Sequence, residues 1–326
     1  METNKKIFVF FRAIIPVTLF VFVVLLEILS MKRDNNYDIL LDSLQRNMKD
    51  VQLAIVTRDQ SYIPDSIRFF DGIVPLHIYG VWEDIDFWVH YYTAPKNRWR
   101  TLSYLESKER YFPRLDSVLV EQKVSRDAKY VALAESELNP VVVSSAKAKG
   151  GWQFIQSTGK RNKLIINSNI DGRLHFEEST IAACNELKSL QKEFNQFGLF
   201  DAQMFALAGY NAGSGTVWKA IKKDRERSYF LLSSLPKETE QYIPRIIALK
   251  LILENSERYG FIKGVTFGGP SIQLVEYSTK RFESWEQLAK RFDISAKEMR
   301  RANAHILNKE GISKGNYTLR IPERKN

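Results

Sequence analysis

A long apolar segment near the amino terminus constrains this chain more than any other feature of its sequence. Residues 7–29 are mostly apolar, and no charged side chain interrupts the stretch from Ala13 to Leu26. This length is close to the ~20 residues that a helix needs to cross a bilayer. The amino end of the segment also holds more basic side chains than its far end. The sequence therefore predicts an uncleaved membrane anchor within residues 1–31, which crosses the membrane through residues 7–30.

A cleaved signal peptide is the alternative to this anchor. Residues 28–30 make a poor cleavage site because the usual small residue three positions before the cut is missing, so the uncleaved anchor is favoured. Both alternatives export every residue after position 31. The expected location is therefore the periplasm or cell envelope, with anchoring in the inner membrane.

The composition excludes several classes of protein. A chain of 326 residues has room for about two domains. Hydrophobic residues make up 44% and charged residues 26%, which is typical of a folded chain rather than a disordered one. Cys184 is the only cysteine and the four histidines lie far apart in sequence, so neither a metal nor another cofactor is expected.

The formal net charge of +10 suits an anionic partner. Lysines and arginines are dispersed, apart from clusters at residues 160–163 and 222–227. This dispersion and the predicted export argue against nucleic-acid binding. The charge then serves attraction to an anionic polymer outside the cell, or simply a solvated surface.

Helical spacing dominates the middle of the chain, so the sequence predicts a mainly α fold. Residues 32–83 are polar and are expected to form a stalk. Residues 84–124 carry apolar and aromatic side chains three and four positions apart, which indicates a helical arm. A further helix opens at residues 125–127 and ends near Asn139, before a proline. Later helices are expected at residues 179–197, 201–207 and 244–260, with a turn at 209–215.

The last part of the chain predicts a small module. Residues 264–270 are typical of a linker. Strands are expected at 273–277 and 317–321, with helices at 284–292 and 295–302. The predicted module, residues 271–326, therefore has the order βααβ.

Glu135 is the candidate for acid–base chemistry. It lies in the last turn of its predicted helix, where the negative end of the helix dipole disfavours a carboxylate. Apolar neighbours such as Leu133 and Leu138 would desolvate it and raise its pKa further. A carboxyl group that stays protonated near neutral pH suits a general acid. A single glutamate in a helix is nevertheless more often an ordinary surface residue, so context has to decide.

Four segments, in order, resemble the lytic transglycosylases of glycoside hydrolase family 23. They are ALAESELNP (132–140), SSAKAKGGWQFIQSTG (144–159), FALAGYNAGSG (205–215) and LPKETEQYIPRIIAL (235–249). The aromatic stretch over residues 87–124 is also similar to the helical arm of one subgroup of that family. Any one segment is a weak signal, and the resemblance depends on their common order.

The resemblance implies a lysozyme-like catalytic domain, of the goose-type and soluble lytic transglycosylase kind, over residues 125–263. It implies cleavage of the β-1,4 bond between N-acetylmuramic acid and N-acetylglucosamine in peptidoglycan, with closure of a 1,6-anhydro ring. Glu135 would act first as acid and then as base, without a metal or cofactor. The 2-acetamido group of the substrate would replace the second carboxyl group that ordinary glycosidases use.

Polar residues at matched positions are implied to bind the substrate. Ser144, Gln153 and Asn211 offer neutral donors and acceptors for N-acetyl and hydroxyl groups. Ser136 belongs to the same motif as Glu135 and joins this set, although capping or packing suits it better than ligand contact.

Two tyrosines and a glycine complete the implied site. Tyr210 and Tyr242 combine a stacking face with a hydroxyl that can reach Glu135 or the acetamido group. Gly150 allows the backbone to approach the sugar closely.

The sequence leaves the question of a second carboxyl group open. Glu137 is two positions from Glu135 and points to a different side of the helix. Asp171, Glu177 and Glu178 remain possible partners, although none belongs to a matched motif.

Two positions depart from the pattern of the family. Lys147 stands where glycine is usual, and lysine would be strained if the backbone there needs a positive φ. Gly209 replaces the alanine that usually precedes the tyrosine. These departures put details of substrate binding in doubt, rather than the fold.

The predicted C-terminal module carries a second resemblance. Residues 284–306 and 314–322 are similar to a LysM domain, a small peptidoglycan-binding module, although the usual opening motif is degenerate. The alternative is a basic βααβ cap without affinity for glycan.

Two other functions remain open beside lytic transglycosylation. A hydrolytic, lysozyme-like enzyme would share the scaffold and differ only in admitting water to the reaction centre. A catalytically silent protein would use the same cleft to bind peptidoglycan. Glycan strands and the membrane are the expected partners, and the sequence indicates no protein partner.

Overall fold

Helices make up most of the structure, a computed structural model that describes residues 63–261 and 272–323. The mainly α fold expected from the sequence is confirmed for these parts. The predicted anchor, residues 1–31, and the predicted linker, residues 264–270, lie outside the described residues. Within the two described ranges, no helix combines the length and the apolar character needed to span a membrane.

Residues 63–261 form a set of helices that follows a small β-ribbon. Strands β1 (Arg68–Phe69) and β2 (Gly72–Ile73) pair antiparallel. The α-helices are α1 (Val81–Thr93), α2 (Arg98–Glu121), α3 (Ala128–Ser136), α4 (Gln156–Arg161), α5 (Phe176–Glu193), α6 (Leu199–Ala212), α7 (Ser214–Asp224), α8 (Lys237–Glu240) and α9 (Tyr242–Glu254). Short 3-10 turns lie at Pro95–Asn97, Gly172–Leu174, Asn195–Phe197, Tyr229–Leu231 and Ser256–Tyr259.

Residues 63–83 belong to the folded part rather than to a stalk. Ile67, Phe69 and Val74 are buried in the same core as the helices. The backbone N–H of Phe70 donates to Oδ2 of Asp127 at 2.7 Å, which ties the ribbon to the start of α3. The prediction of a polar stalk over residues 32–83 is therefore wrong for this portion, because its apolar side chains find partners in the helical core.

Helices α1 and α2 form the arm expected from the aromatic spacing. Tyr92 and Tyr104 are buried, with their rings edge to face and 5.7 Å apart. Phe112 is buried as well. Phe87 and Trp99, by contrast, are 59% and 63% exposed, so the aromatic pattern marks a core face only in part.

Helix α9 crosses the centre of the core. Its buried residues include Ile243, Ala248 and Leu249, which lie on different sides of the helix. A helix that is apolar all round is stable only when neighbours cover it on every side. Helices α1, α3 and α6 supply that cover. The start of α9 is thereby held against the end of α3.

Helix α6 is longer than the sequence predicts. We expected a helix over residues 201–207 and a turn over 209–215, but α6 continues to residue 212 and only one residue separates it from α7. Gly209 lies inside the helix, where a Cβ would stand 3.4 Å from Cδ2 of Leu190, an ordinary packing contact. The turn is confined to Gly213, whose φ of +81° suits glycine.

The βααβ order predicted for the C-terminal module is present over residues 272–323. Strand β3 (Ile272–Thr279) pairs antiparallel with β6 (Gly315–Pro322), and a shorter pair joins β4 (Glu283–Ser284) to β5 (Gly311–Ile312). Helices α10 (Trp285–Arg291) and α11 (Ala296–Ala302) each begin with a capping box. A small separate core, including Trp285, Leu288, Met299 and Leu319, holds the module together.

The module packs against the rest of the fold through what we call the docking interface, formed by residues 169–177 and 303–320. Two backbone hydrogen bonds begin it. The N–H of Asp171 donates to the carbonyl of His305 at 2.9 Å, and the N–H of Leu307 donates to the carbonyl of Asn169 at 2.8 Å. The module is thus attached to the loop that precedes α5.

Charged side chains complete the docking interface. Glu177 is buried and forms ion pairs with Arg114, at 2.9 Å, and with Arg320. The rings of His175 and His305 meet edge to face, 4.5 Å apart. Burial lowers the pKa of His305 to about 4 and that of His175 to about 2, so both rings are neutral at neutral pH.

Candidate active site

Glu135 lies in the last turn of α3, as the sequence predicts. The helix ends at Ser136, three residues before the expected end at Asn139. Glu137 and Leu138 adopt left-handed conformations, with φ values of 57° and 59°, and so turn the chain away from the helix axis. Glu135 remains partly accessible, whereas the residues just before it in α3 are mostly buried.

Two side chains of α9 are associated with Glu135. The hydroxyl of Tyr242 donates to Oε1 of Glu135 at 2.5 Å. Arg245 lies one turn further along, with its guanidinium 5.7 Å from the centre of the Tyr242 ring. It also donates to the carbonyl of Ala134 at 3.4 Å. Because residues three positions apart share a face of a helix, α9 presents both side chains to the end of α3.

Burial is the largest influence on the carboxyl group of Glu135, and it raises the pKa above the ordinary value of 4.5. The hydrogen bond from Tyr242 and the charge of Arg245 lower the pKa, and the charge of Glu238 raises it. The net direction is upward. A larger fraction of Glu135 is therefore protonated near neutral pH than of an exposed glutamate, as a general acid requires.

Tyr210 stands in the last turn of α6, between this carboxyl group and a buried tryptophan. Its hydroxyl donates to the carbonyl of Trp152 at 2.7 Å, and its ring meets the ring of Phe154 at 6.0 Å. Burial and the nearby charge of Glu135 raise the pKa values of Tyr210 and Tyr242. Both hydroxyl groups therefore stay protonated and can donate hydrogen bonds.

Ser136, the residue after Glu135, is used inside the fold. Its hydroxyl is buried, donates to the carbonyl of Gly151 at 2.7 Å and lies 3.2 Å from the carbonyl of Ala132. These bonds agree with the packing role that the sequence favoured for Ser136, and its contact with substrate stays a prediction. The hydroxyl joins the end of α3 to the loop of residues 143–154, which we call the cleft loop.

The cleft loop carries Ser144 and Gln153. Isolated β-bridges pair residue 149 with residues 143 and 154 and so close the loop on itself. Oγ of Ser144 accepts from the N–H of Ala148 at 3.1 Å, and Nε2 of Gln153 donates to the carbonyl of Gly150 at 2.8 Å. The hydroxyl proton of Ser144 and the amide oxygen of Gln153 take no part in these two bonds, so they are suited to meet a ligand.

Gly150 lies close to the backbone of another segment. Its φ is +79°, and a Cβ at this position would lie 1.9 Å from the backbone carbonyl oxygen of Arg173. The 3-10 turn before α5 therefore requires glycine here. Contact between Gly150 and the sugar stays a prediction.

Lys147 occupies a strained position in the cleft loop. Its φ is 60°, in the left-handed region where a residue with a Cβ costs about 1–2 kcal/mol. The carbonyl of Lys147 accepts from Nη1 of Arg173 at 3.1 Å, which holds the turn in place. The sequence predicted strain at Lys147 if the backbone had a positive φ, and the structure shows that it does.

Asn211 lies beside Tyr210 on the last turn of α6. Its Oδ1 accepts from Oγ1 of Thr239 at 2.8 Å. The amide nitrogen of Asn211 is then the part of the side chain that can donate to a ligand. The sequence expected Tyr210 and Asn211 in a turn, whereas the structure fixes both on a helix.

Three of the four other carboxyl groups considered as partners of Glu135 have partners elsewhere. Glu137 pairs with an arginine of α2 at 3.4 Å, and Asp171 pairs with an arginine at 2.7 Å and a lysine at 3.0 Å. Glu177 belongs to the docking interface, and Glu178 lies near the charge of Glu276 in β3. The described ranges also contain no group of three or more histidine, cysteine or acidic side chains placed to hold a metal ion.

Arg245 and the support of α9 by α1 were not predicted. The indole N–H of Trp88 donates to Oε1 of Gln241 at 2.9 Å, and Nε2 of Gln241 donates to Asp84 at 2.8 Å. These bonds fix the residue just before Tyr242. The spacing of Tyr242 and Arg245 could have indicated a shared face, but the bonds of Gln241 join segments more than 150 residues apart in the chain.

Residues 121–232 match the family model described as the transglycosylase SLT domain. Over this segment the chain is similar to the transglycosylase SLT domain. The matched segment includes Glu135, the cleft loop, Tyr210 and Asn211, and it ends before Tyr242.

Two curated proteins that are similar to this chain have the name membrane-bound lytic murein transglycosylase D. One is from Escherichia coli strain K12 and another from Escherichia coli O6:H1 strain CFT073. Each is 33% identical over 196 residues, which cover 59% of this chain and 42% of the relative. The chain thus spans less than half the length of the curated relatives it matches.

A solved structure is also similar, that of the 70 kDa soluble lytic transglycosylase of Escherichia coli. It aligns with a TM-score of 0.39 and 20% identity, over 56% of this chain and 32% of that protein.

Proposed function

We propose that the chain is a peptidoglycan lytic transglycosylase, which cleaves the β-1,4 bond between N-acetylmuramic acid and N-acetylglucosamine and forms a 1,6-anhydro ring. The similarity to the SLT domain and to relatives named lytic murein transglycosylase supports peptidoglycan as the substrate and transglycosylation as the reaction class. The single observation that carries the proposal is the carboxyl group of Glu135, desolvated and bonded to the hydroxyl of Tyr242.

Glu135 begins the reaction as a general acid. Its raised pKa keeps the proton available, and the proton passes to the oxygen that bridges the two sugars. The bond between that oxygen and C1 of the N-acetylmuramoyl residue breaks, and its electron pair stays on the leaving oxygen. Tyr242 then donates to the carboxylate that Glu135 has become, and Arg245 adds a positive charge nearby.

The same residue completes the reaction as a base. The carbonyl oxygen of the 2-acetamido group shares its electrons with C1 and holds the positive charge there. The carboxylate of Glu135 then accepts the proton of the 6-hydroxyl group, and O6 forms a bond to C1 as the acetamido oxygen leaves. This closes the anhydro ring, returns the proton to Glu135 and consumes no water.

The neighbouring polar groups would position the sugar. The amide nitrogen of Asn211 is a donor suited to the acetamido carbonyl, and the hydroxyl oxygen of Tyr210, whose proton is donated to Trp152, can accept from the acetamido N–H. The amide oxygen of Gln153 and the hydroxyl proton of Ser144 are suited to sugar hydroxyl and N–H groups. Each of these side chains is held by a hydrogen bond within the fold, which limits the entropy lost on binding.

Product analysis tests the proposal. The purified chain is incubated with murein sacculi, and the soluble fragments are identified by mass spectrometry. Fragments ending in 1,6-anhydro-N-acetylmuramic acid support lytic transglycosylation. Fragments heavier by one water would instead show hydrolysis, and binding without soluble fragments would show a non-catalytic murein-binding protein.

We further propose that the C-terminal module is LysM-like and binds glycan, and that residues 7–30 anchor the chain in the inner membrane, facing the periplasm. The βααβ order of the module and the apolar amino-terminal sequence support these two points. Retention of the module, residues 271–326, on sacculi at moderate salt would support glycan binding. No retention would support the alternative, a basic cap without affinity for glycan. Membrane fractionation of the full chain tests the anchor.

A further inference from the structure

A basic depression lies beside the cleft loop. It is open to solvent, has a volume of about 740 Å³ and is lined partly by the cleft-loop residues 143–149. Its remaining wall comes from α4 and from the turn before α5. The depression therefore shares its wall with the loop that carries Ser144.

Four cationic side chains line this depression, namely Lys147, Lys149, Lys160 and Arg173. Arg173 forms two hydrogen bonds to the carboxylate of Asp171, and Lys149 pairs with the same carboxylate at 3.0 Å. Two cations thus share one anion, so the inner wall keeps a net positive charge.

The two outer lysines add to this charge. Lys147 and Lys160 are exposed, and neither forms an ion pair with any residue that the structure describes. Lys147 has a left-handed backbone conformation, and its carbonyl accepts a hydrogen bond from Arg173. The backbone from which its side chain extends is therefore held in place. Cations around an open depression are suited to anionic groups that extend from a ligand bound to the neighbouring cleft loop.

We propose that this depression binds the free carboxylates of the peptide stems of peptidoglycan, so that stem-bearing glycan is preferred over bare glycan. The inference rests on the proposed function, since it takes the glycan to lie along the cleft loop. Carboxylates are the anionic groups that stem peptides offer, and the lactyl group of N-acetylmuramic acid places a stem beside each cleavage site.

The test measures affinity, so that its outcome does not depend on catalysis. A tetrasaccharide of alternating N-acetylglucosamine and N-acetylmuramic acid is prepared with peptide stems, with stems whose carboxylates are amidated, and without stems. Binding is measured in the Glu135→Gln background to prevent cleavage. We expect the stem-bearing ligand to bind about tenfold more tightly than the other two, which is about 1.4 kcal/mol. Added salt should reduce this difference.

The double variant Lys147→Gly/Lys160→Ala should lose the preference for stems and keep its affinity for the stem-free ligand. Glycine suits the positive φ of position 147, so this variant should fold. Lys222→Ala/Lys223→Ala on α7 changes the net charge equally, away from the depression, and should keep the preference. Two results would overturn the inference. One is equal affinity of the Glu135→Gln protein for all three ligands, and the other is a preference for stems that persists after the double substitution is added to it. A chain that binds stems but releases no anhydro products would instead contradict the proposed function alone.

Discussion

The hydroxyl of Tyr242 and a carboxyl oxygen of Glu135 lie 2.5 Å apart, although 107 residues separate them in the chain. The two residues come from the ends of α9 and α3, which the core holds together. Burial raises the pKa of Glu135 and so favours its protonated form before the reaction, and Tyr242 provides a hydrogen bond to the carboxylate afterwards. The environment of Glu135 therefore supports both the protonated and the deprotonated form that the proposed reaction needs.

Replacing Tyr242 with phenylalanine should slow the reaction. The variant loses a hydrogen bond to a charged group, worth about 1.5 kcal/mol or more, so kcat should fall at least about tenfold. Because that bond lowers the pKa of Glu135, its loss should also move the high-pH limb of the activity profile to higher pH. Initial rates of anhydro-product release across a pH series check both effects.

Tyr277→Phe is the matched control for this variant, because it removes a tyrosine–carboxylate bond inside the C-terminal module. It should leave kcat and the pH profile unchanged. An unchanged kcat in Tyr242→Phe, or a shift of the limb to lower pH, would contradict the assigned role of Tyr242.

Glu135 should also make the stability of the fold depend on pH. Its pKa in the folded state is raised above the ordinary value of 4.5, so the folded state binds this proton more tightly than the unfolded chain. That contribution to stability is fully present below pH 4.5 and is lost as the pH rises through the folded-state pKa. Glu135→Gln removes the cost of a buried charge, so its Tm should exceed that of the parent protein at neutral pH.

Thermal unfolding over a pH series measures this difference. The gap in Tm between Glu135→Gln and the parent protein should close as the pH falls to 4.5. A variant that is less stable than the parent protein at neutral pH would show that the carboxylate is well solvated.

Features that depend on neighbouring residues could be predicted from the sequence, whereas those that depend on contacts between distant segments could not. The position of Glu135 in the last turn of α3 follows from local signals, although the helix ends three residues earlier than expected, and the matched motifs supplied Tyr242. The roles of Ser136 and Gly150, however, depend on partners in the cleft loop and in the turn before α5. The sequence motif alone does not indicate whether the hydroxyl of Ser136 contacts a ligand or another part of the fold. The same holds for the absent side chain of Gly150.

The end of α6 shows a different limit. Gly209 and the glycines that follow it predict a turn from local propensity, but packing against α5 overrides that preference. The position of the C-terminal module was likewise beyond the sequence, because the bond between Asp171 and His305 joins segments that no local pattern connects.

Gly150→Ala should destabilise the protein by about 2–4 kcal/mol. The added Cβ would lie 1.9 Å from the carbonyl oxygen of Arg173, and the φ of +79° adds strain. Gly215→Ala is the control, since no atom lies within 4 Å of its added Cβ and alanine favours the helix. Chemical denaturation of both variants measures the difference, and equal stabilities would contradict the close contact.

Arg320→Met should weaken the docking interface. The variant leaves the buried Glu177 with Arg114 as its remaining arginine, so it should cost about 1.5–3 kcal/mol, as for the loss of a hydrogen bond to a charged group. Arg291→Met removes an exposed arginine from the buried Glu283, which keeps its hydrogen bond from a tyrosine, so it should cost at most about 1 kcal/mol. Urea unfolding compares the two variants. A loss for Arg320→Met no larger than for Arg291→Met would show that the interface contributes little.

The most direct test of the central claim is the product yield of Glu135→Gln on murein sacculi. Glutamine keeps the shape of the side chain and can accept from Tyr242, but it can neither give nor take the proton. We predict a folded variant that releases no 1,6-anhydro-N-acetylmuramic acid above background, while the parent protein does. Release of anhydro products by the variant at the parent rate would contradict the claim that Glu135 is the acid and base.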